Sequence, residues 1–151
     1  MIQTRPLFEI SLLVPQVIEL GDTPLGRRRI AVVTGGTFEG ERLRGTVLPA
    51  PGGDWLLQRP DGVTVLDVRV VLRTDDGEHI AMAYRGVRHG PPDVMARVAA
   101  GESVDASLYY FRMAPVFETA SRKYAWINRI VAVGTGRREK VGPIYRVEEV
   151  L

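Results

Sequence analysis

Short apolar runs, separated by glycine, proline and aspartate, dominate the chain. Turn markers such as Gly35-Gly36, Asp61-Gly62 and Asp75-Asp76-Gly77 recur along the sequence, and the runs between them are rich in β-branched and aromatic residues. Several short strands about 8–12 residues apart are typical of a β-sandwich or a β-barrel. The pattern predicts about nine strands, at residues 7–20, 29–33, 43–48, 55–58, 63–73, 78–87, 105–113, 123–133 and 141–150.

One segment, residues 93–100, has the signals of a helix. It follows a pair of prolines, carries Asp93 in its first turn and ends before Gly101. Two helical turns are too short for the crossover that joins parallel strands, so the sheet is predicted to be antiparallel. No repeat, low-complexity tract or linker interrupts the chain, and residues 1–151 are expected to form a single domain.

Alternation along the predicted strands indicates a barrel. Residues 63–73 place Leu66 and Val70 on an apolar face. Other faces mix aromatic, amide and charged side chains, which suits a barrel interior that holds a partly polar molecule. We therefore predict an all-β fold, an antiparallel β-barrel of about eight to nine strands with one short helix. The mixed faces carry Asp67 and Arg69; Tyr110 and Arg112; and Tyr124, Trp126 and Asn128.

Composition excludes several kinds of chemistry. The chain has no cysteine, which excludes disulfides, thiolate catalysis and cysteine-bound metals, and its two histidines have no matched third ligand, so no metal and no cofactor are expected. No apolar run reaches the roughly 20 residues of a membrane span, and no secretory signal is recognisable. We expect a cytoplasmic protein. A net charge of +2 does not favour a nucleic-acid partner, although arginines near the aromatic residues 109–111 leave that alternative open.

The strongest candidate pocket residues lie in two of the predicted strands. Asn128 is the most informative, because a buried amide in a strand requires hydrogen-bond partners. Arg112 requires a carboxylate, from Glu118, from Asp67 or from a ligand. Tyr84 adds a hydroxyl group on the face shared by residues 80 and 82. Ordinary cross-strand packing of aromatic residues is the alternative interpretation. The full cluster is Tyr110, Arg112, Tyr124, Trp126 and Asn128.

Two further pairs allow two interpretations each. Asp67 and Arg69 are either an exposed ion pair on the outside or two mutually neutralising charges in the interior. Asp54 and Trp55 are either a turn carboxylate and a core tryptophan, or a carboxylate at the barrel mouth and a flat pocket wall. The arginine clusters 27–29 and 137–138 are interpreted as solvated strand ends. The glycine-rich run 35–45 lacks the phosphate-loop pattern and is interpreted as a bulged hairpin.

Several short motifs occur in an order typical of one known family. They are Gly35-Gly36-Thr37-Phe38-Glu39-Gly40, Gly53-Asp54-Trp55, Asp67-Val68-Arg69, and the stretch from Tyr110-Phe111-Arg112 to Tyr124-Ala125-Trp126-Ile127-Asn128. With this set the chain resembles, from about Gly21 to its C-terminus, the uncharacterised family catalogued as domain of unknown function 3237. The resemblance implies a lipocalin-like or allene-oxide-cyclase-like barrel and no agreed activity.

These residues support two hypotheses of function. In the first, the barrel interior binds a small, partly apolar or aromatic molecule, with a carboxylate as one option, and catalyses isomerisation, cyclisation or elimination without a cofactor. In the second, the same pocket belongs to a non-catalytic carrier. Strands apolar on both faces predict a homodimer. The candidate catalytic residues are Asp67, Tyr110 and Tyr124, and the candidate ligand-binding residues are Asp54, Trp55, Arg69, Tyr84, Arg112, Glu118, Trp126 and Asn128.

Overall fold

Eleven antiparallel β-strands form one continuous sheet that makes up most of the structure. The computed structural model describes residues 1–151. One helix, α1 (Pro92–Ala99), and two short 3-10 turns, Ala106–Leu108 and Ala125–Arg129, connect strands. The strands are β1 (Thr4–Leu13), β2 (Gln16–Thr23), β3 (Gly26–Val32), β4 (Gly35–Glu39), β5 (Arg44–Val47), β6 (Gly53–Gln58), β7 (Thr64–Thr74), β8 (His79–His89), β9 (Tyr110–Glu118), β10 (Val131–Arg138) and β11 (Pro143–Val150).

Eight of the strands close into a barrel. Their order around it is β7-β5-β4-β1-β11-β10-β9-β8, and pairing of β8 with β7 completes the ring. The longest pairing joins Thr64–Arg73 of β7 to Arg88–His79 of β8 in continuous antiparallel register. Closure removes the free edges that an open sheet of this size would expose. The prediction of an antiparallel β-barrel with one short helix is confirmed.

The three remaining strands form a wing at one end of the barrel. β5 pairs with the last residues of β7, whereas β6 pairs with the first residues of β7 on the same side. β3 then pairs with β6, and β2 pairs with β3. We call the end where β7 begins the upper end and the opposite end the lower end. The wing therefore extends the barrel wall at the upper end only.

Alternation places one apolar face of each barrel strand inward. Leu66, Val68, Val70 and Leu72 of β7 are each 3% exposed or less, and Ile80 and Met82 of the neighbouring strand are equally buried. At the lower end, Phe8 packs edge-on against Phe38 and Phe117. Burying such side chains is the main favourable contribution to folding, about 1.5–3 kcal/mol for each large one. The lower part of the interior is thus packed with apolar side chains.

The inward face of β10 is made of small residues. A Cβ atom at Gly136 would overlap the ring of Phe111, and one at Gly134 would meet Met113 Sδ at 2.7 Å. Glycine is required here by the close approach of these side chains. Residues 134–136 fall between the predicted strands 123–133 and 141–150, but in the structure they lie within β10.

Two other local predictions differ from the structure, and a third agrees with it. The predicted strand 7–20 is two strands, interrupted at Val14 and Pro15 because proline cannot donate to the ladder. The run 35–45, interpreted as a bulged hairpin, does form a hairpin, in which β4 pairs with β5 in continuous antiparallel register. The first half of the predicted strand 123–133 is instead the 3-10 turn Ala125–Arg129. In that turn the period-2 alternation assumed for Tyr124, Trp126 and Asn128 does not apply.

Candidate functional site

A cavity of about 200 Å³ lies at the upper end, where the wing meets the barrel. A cavity of 150 Å³ can admit benzene, so this one has room for a molecule with a single substituted ring. Side chains from the wing, the barrel, α1 and the β10–β11 hairpin line it together. They include Leu12, Val14, Val17, Arg29, Ala31, Val33, Asp54, Leu56, Leu66, Tyr84, Arg88, Val98, Phe111, Arg138, Pro143 and Tyr145.

Asp54 is positioned by two strand pairings. It lies opposite Ala31 of β3 and opposite Val68 of β7, which directs its side chain into the cavity. Its Oδ1 accepts a hydrogen bond from the backbone N–H of Asp67 at 3.0 Å, and its carboxylate forms no ion pair with any arginine or lysine. Burial raises the pKa of Asp54 to about 6, against the opposing effects of the Asp67 amide and the Arg88 charge. Asp54 can therefore both accept and donate a proton near neutral pH.

Two arginines on the cavity wall have unsatisfied donors. The Nε atoms of Arg29 and Arg88 are buried and have no hydrogen-bond partner. Burial lowers the pKa of Arg88. Arginine nevertheless remains a cation at neutral pH, because its ordinary pKa is above about 12. The Arg88 guanidinium lies 5.3 Å from the ring centre of Phe111, so cationic and aromatic surface adjoin inside the cavity.

Two tyrosines form the polar end of the cavity. The rings of Tyr84 and Tyr145 pack edge-on with centres 5.3 Å apart, and both are almost fully buried. The Tyr84 hydroxyl is buried and forms no hydrogen bond of normal geometry, although the Tyr145 phenol is near enough to help raise its pKa. Burial raises the pKa of both phenols above their ordinary value. Both tyrosines thus stay protonated at neutral pH, and Tyr84 has a hydroxyl group free to donate to a bound oxygen.

Of the residues proposed from the sequence, the cavity contains Asp54 and Tyr84. For the pair Asp54 and Trp55, the structure confirms Asp54 as a cavity residue, but Trp55 is neither in the core nor in the cavity wall. Asp54 lines the cavity, whereas Trp55 lies on the outer face and is half exposed. Consecutive residues of a strand point to opposite faces, which explains the separation.

Tyr124, Trp126 and Asn128 lie at the lower end, and their predicted placement around a hollow shared with Arg112 is wrong. The Tyr124 hydroxyl donates to Asp76 Oδ1 at 2.9 Å. The Asn128 side chain accepts from the N–H of Thr119 and donates to its carbonyl oxygen, at 2.8 and 2.9 Å. These hydrogen bonds satisfy the amide locally and hold the segment that closes the lower end.

Trp126 also takes part in this closure. The Arg42 guanidinium lies over its ring at 4.2 Å from the ring centre, and Arg42 in turn pairs with Glu149 at 2.5 Å. Arg5 pairs with the same carboxylate at 2.9 Å. Both guanidinium groups lower the pKa of Glu149. Tyr124, Trp126 and Asn128, which the sequence analysis assigned to a pocket, instead form contacts that close the lower end of the barrel.

Asp67 and Arg69 lie on the outer face, which corrects the preferred interior placement. They share a shallow depression with Trp55, next to Pro51. Asp67 forms a loose ion pair with Arg85, Nη2 to Oδ2 3.6 Å, and both side chains are substantially exposed. Exposed pairs of this kind contribute at most about 1 kcal/mol.

Tyr110, Arg112 and Glu118 also point away from the interior. Arg112 lies over the ring of Tyr110, 4.8 Å from its centre, and Tyr110 stacks on His89 at 5.0 Å. Glu118 is exposed at the end of β9. The alternation along β9 was assigned correctly, but the inward face carries Tyr109, Phe111 and Met113, each at most 5% exposed.

Sequence reasoning missed Arg29, Arg88, Arg138 and Tyr145. The arginine clusters were interpreted as solvated strand ends, yet Arg29 and Arg138 line the cavity. Period-2 alternation carried the necessary signal. Arg29 shares a strand face with Ala31, and Arg88 lies four residues after Tyr84 on the same face.

The structure has neither a cluster of side chains arranged for a metal ion nor a membrane-spanning helix. No group of three or more histidine, aspartate or glutamate side chains is arranged to hold a metal ion. No helix has both the length and the apolar character needed to cross a bilayer.

Comparison with known proteins identifies the family. A UPF0311 protein of Rhodopseudomonas palustris strain TIE-1 is 33% identical over 150 residues, covering 99% of this chain and 97% of that protein. A crystal structure of a β-barrel-like protein from Acinetobacter baumannii is 40% identical, with a TM-score of 0.87 over 100% of this chain and 97% of that one.

A more distant neighbour shares the fold alone. A protein from Penicillium herquei, described as an enzyme, has a TM-score of 0.74 at 20% identity, over 99% of this chain and 95% of that one.

The family of proteins of unknown function DUF3237 matches residues 2–150. Sequence and fold therefore agree, and the chain belongs to the DUF3237 family.

Proposed function

We propose that the protein binds a small, partly apolar molecule in the upper cavity and that Asp54 moves a proton on it without a cofactor. The observation that supports this proposal is the set of unpartnered polar groups that lie in the same cavity as Asp54. An unpaired carboxylate shares a small cavity with the unpartnered Arg29 Nε, Arg88 Nε and Tyr84 hydroxyl. Buried polar groups are normally paired, so their concentration in one cavity favours a ligand that pairs with them.

The arrangement suits proton abstraction next to a carbonyl group. The Asp54 carboxylate would take a proton from the carbon beside the carbonyl, and the C–H electron pair would form the carbon–carbon double bond of an enolate. The carbonyl π electrons would move to oxygen, where the Tyr84 hydroxyl can donate a hydrogen bond. In a substrate with a β,γ double bond, return of the proton from Asp54 to the γ carbon of the dienolate completes an isomerisation. In a substrate with a leaving group on the β carbon, the enolate electrons form the α,β double bond as the carbonyl re-forms, and the departing group takes the proton from Asp54, which completes an elimination.

Asp54 suits the role of base better than either tyrosine does. A catalytic base is most effective when its pKa lies near the working pH, and the pKa of Asp54 is about 6. The tyrosines have pKa values raised by burial, so they are donors and not bases. These roles replace the earlier hypothesis that Asp67, Tyr110 or Tyr124 moves the proton, since none of those residues lines the cavity.

Proton exchange measured by NMR tests the proposal. The protein is incubated in D2O with phenylpyruvate or with its uncharged counterpart phenylacetone, and deuterium incorporation at the benzylic carbon is followed against buffer alone. We expect the wild-type protein to accelerate exchange of at least one compound, with a rate that rises through an apparent pKa near 6. Asp54→Asn should reduce the rate to that of buffer, whereas Asp67→Asn, on the outer face, should leave it unchanged.

The same experiment separates an enzyme from a carrier. A carrier needs the shape and the hydrogen-bond donors of the cavity but no titrating base. It would bind these compounds and leave their exchange at the buffer rate. That result, or an Asp54→Asn variant as fast as the wild type, would refute proton transfer by Asp54.

A further inference from the structure

All the buried side-chain donors that lack a hydrogen-bond partner belong to residues that line one cavity. Three buried side-chain nitrogen or oxygen atoms lack a hydrogen-bond partner, and they belong to Arg29, Tyr84 and Arg88. Each of these residues lines the upper cavity. A buried donor without an acceptor destabilises the protein, and it does so more strongly when it is charged. Three such costs at a single cavity indicate that the cavity accommodates an acceptor.

Arg29 and Arg88 also border the outside of the barrel. A groove of about 570 Å³ runs between α1 and the strands beside it, and it shares Arg29, Arg88, Val98 and Ala99 with the cavity. These four residues thus form the wall between groove and cavity. Tyr84 and Asp54 line only the cavity, so Arg29 and Arg88 are the charged residues common to both spaces.

Both arginines lack an acidic partner at ion-pair distance, although Asp54 shares their cavity. Neither Arg29 nor Arg88 takes part in an ion pair. Asp61, the carboxylate of the groove, is paired with Arg59 and also accepts from the N–H of Val63.

The neighbouring arginines differ in this respect. Arg27 has a two-point contact with Glu19, at 3.0 Å for both nitrogens. The guanidinium of Arg138 donates to the carbonyl oxygen of Glu139 at 2.8 Å. Of the arginines that line the cavity, Arg29 and Arg88 are therefore the two whose guanidinium groups donate to no protein acceptor.

We infer that Arg29 and Arg88 bind the carboxylate of a single-ring organic acid, with the ring inside the cavity and the carboxylate at the wall. Guanidinium groups match the geometry of a carboxylate and can hold it at two points. With Arg138, the cavity lining carries more positive than negative charge, which an anionic ligand would balance.

The apolar part of the cavity fits the rest of such an acid. Phe111 lies directly beneath the Arg88 guanidinium, and Leu12 and Leu66 lie on the same lining. A ring between these side chains would leave its carboxylate next to Arg88. This inference names the substrate class of the proposed function and shares its cavity, but carboxylate binding does not require Asp54 to move a proton.

Calorimetry with defined probes tests the inference. Phenylacetate is compared with phenylacetamide, which has the same shape without the charge, and with phenylphosphonate. The wild-type protein should bind phenylacetate at least about tenfold more tightly than phenylacetamide, because a hydrogen bond to a charged group contributes more than one to a neutral group. It should bind phenylphosphonate no more tightly than phenylacetate. Arg88→Met and Arg29→Met should each remove most of this preference. Arg112→Met, a matched change on the outer face, should preserve it, and Arg88→Lys should retain part of it.

Each outcome separates this inference from proton transfer. Equal binding of phenylacetate and phenylacetamide by the wild type, tighter binding of phenylphosphonate, or no binding of any probe would overturn the carboxylate site. The carboxylate site would also be overturned if Arg88→Met and Arg29→Met both kept the full wild-type preference for phenylacetate. Asp54→Asn should keep the preference for phenylacetate even though it abolishes exchange. If exchange fails and the preference holds, proton transfer is refuted and the carboxylate site stands.

Discussion

The side chains of Asp54 and Asp67 lie on opposite faces of one sheet and are joined by a hydrogen bond. The Asp54 carboxylate accepts the backbone N–H of Asp67 at 3.0 Å from the cavity side, while the Asp67 carboxylate points outward to Arg85. Two aspartates on paired strands therefore have different surroundings. Burial raises the pKa of the inner carboxyl group, and the outer one sits in water.

Asp54→Asn should increase stability at neutral pH. The pKa of Asp54 is about 6 in the folded protein and about 3.9 in an unfolded chain. Because the folded pKa is the higher one, Asp54 destabilises the fold progressively as pH rises from about 4 to about 6, by on the order of 3 kcal/mol in total. Asparagine has no such titration and can still accept the Asp67 amide. Urea denaturation at pH 4 and pH 8 should show a variant that gains stability over the wild type only at the higher pH.

Asp67→Asn is the matched control for that measurement. Its carboxylate is exposed and loosely paired, so its loss should change the free energy of unfolding by less than about 1 kcal/mol at either pH. A difference between Asp54→Asn and wild type that is the same at pH 4 and pH 8 would show that Asp54 is not held as an unpaired buried acid.

The fold was predictable from the sequence because its signals are local and repeated. Turn residues at regular spacing and alternating apolar faces persist over eleven strands, and a single misplaced boundary does not alter them. Leu66 and Val70 were assigned to an apolar face and are buried in the core. The helix was found within one or two residues, from its prolines and its glycine.

The site was less predictable because it depends on which face of each strand turns inward. In β9, alternation separated Tyr110 and Arg112 from Tyr109 and Phe111 but did not say which set is interior. Asn128 lies in a 3-10 turn, where its side chain forms hydrogen bonds with Thr119. The residue pattern does not reveal this turn, so the sequence analysis placed Asn128 in a strand. The wing, which brings Arg29 and Asp54 to the barrel mouth, depends on pairings among residues distant in sequence.

Tyr84→Phe should separate catalysis from stability. The hydroxyl of Tyr84 has no hydrogen-bond partner in the protein, so its removal should leave stability unchanged or slightly higher. It should nevertheless slow proton exchange by ten- to a thousandfold, as expected for loss of a donor to a developing oxyanion.

The same substitution at Tyr109 provides the comparison. The Tyr109 hydroxyl accepts the backbone N–H of Arg138 at 2.8 Å, so Tyr109→Phe should cost about 1 kcal/mol of stability and leave the exchange rate unchanged. Thermal denaturation and the exchange assay, run on both variants, give the two readings. If Tyr84→Phe loses stability and keeps full activity, Tyr84 is a structural residue and not a donor to substrate.

Tyr124→Phe tests whether the two ends of the barrel have separate roles. The Tyr124 hydroxyl donates to Asp76, which is also bound by Thr74 and by Lys123, and these contacts lower the pKa of Asp76. Loss of the hydroxyl should reduce the free energy of unfolding by about 1 kcal/mol in urea titrations. Phenylacetate affinity and exchange rate should stay at wild-type values, because the cavity is at the upper end.

Tyr110→Phe, on the exposed outer face, is the control for Tyr124→Phe. It should change neither the free energy of unfolding, nor phenylacetate affinity, nor the exchange rate. A Tyr124→Phe variant that keeps its stability and loses exchange would return the catalytic role to Tyr124 and place the chemistry at the lower end.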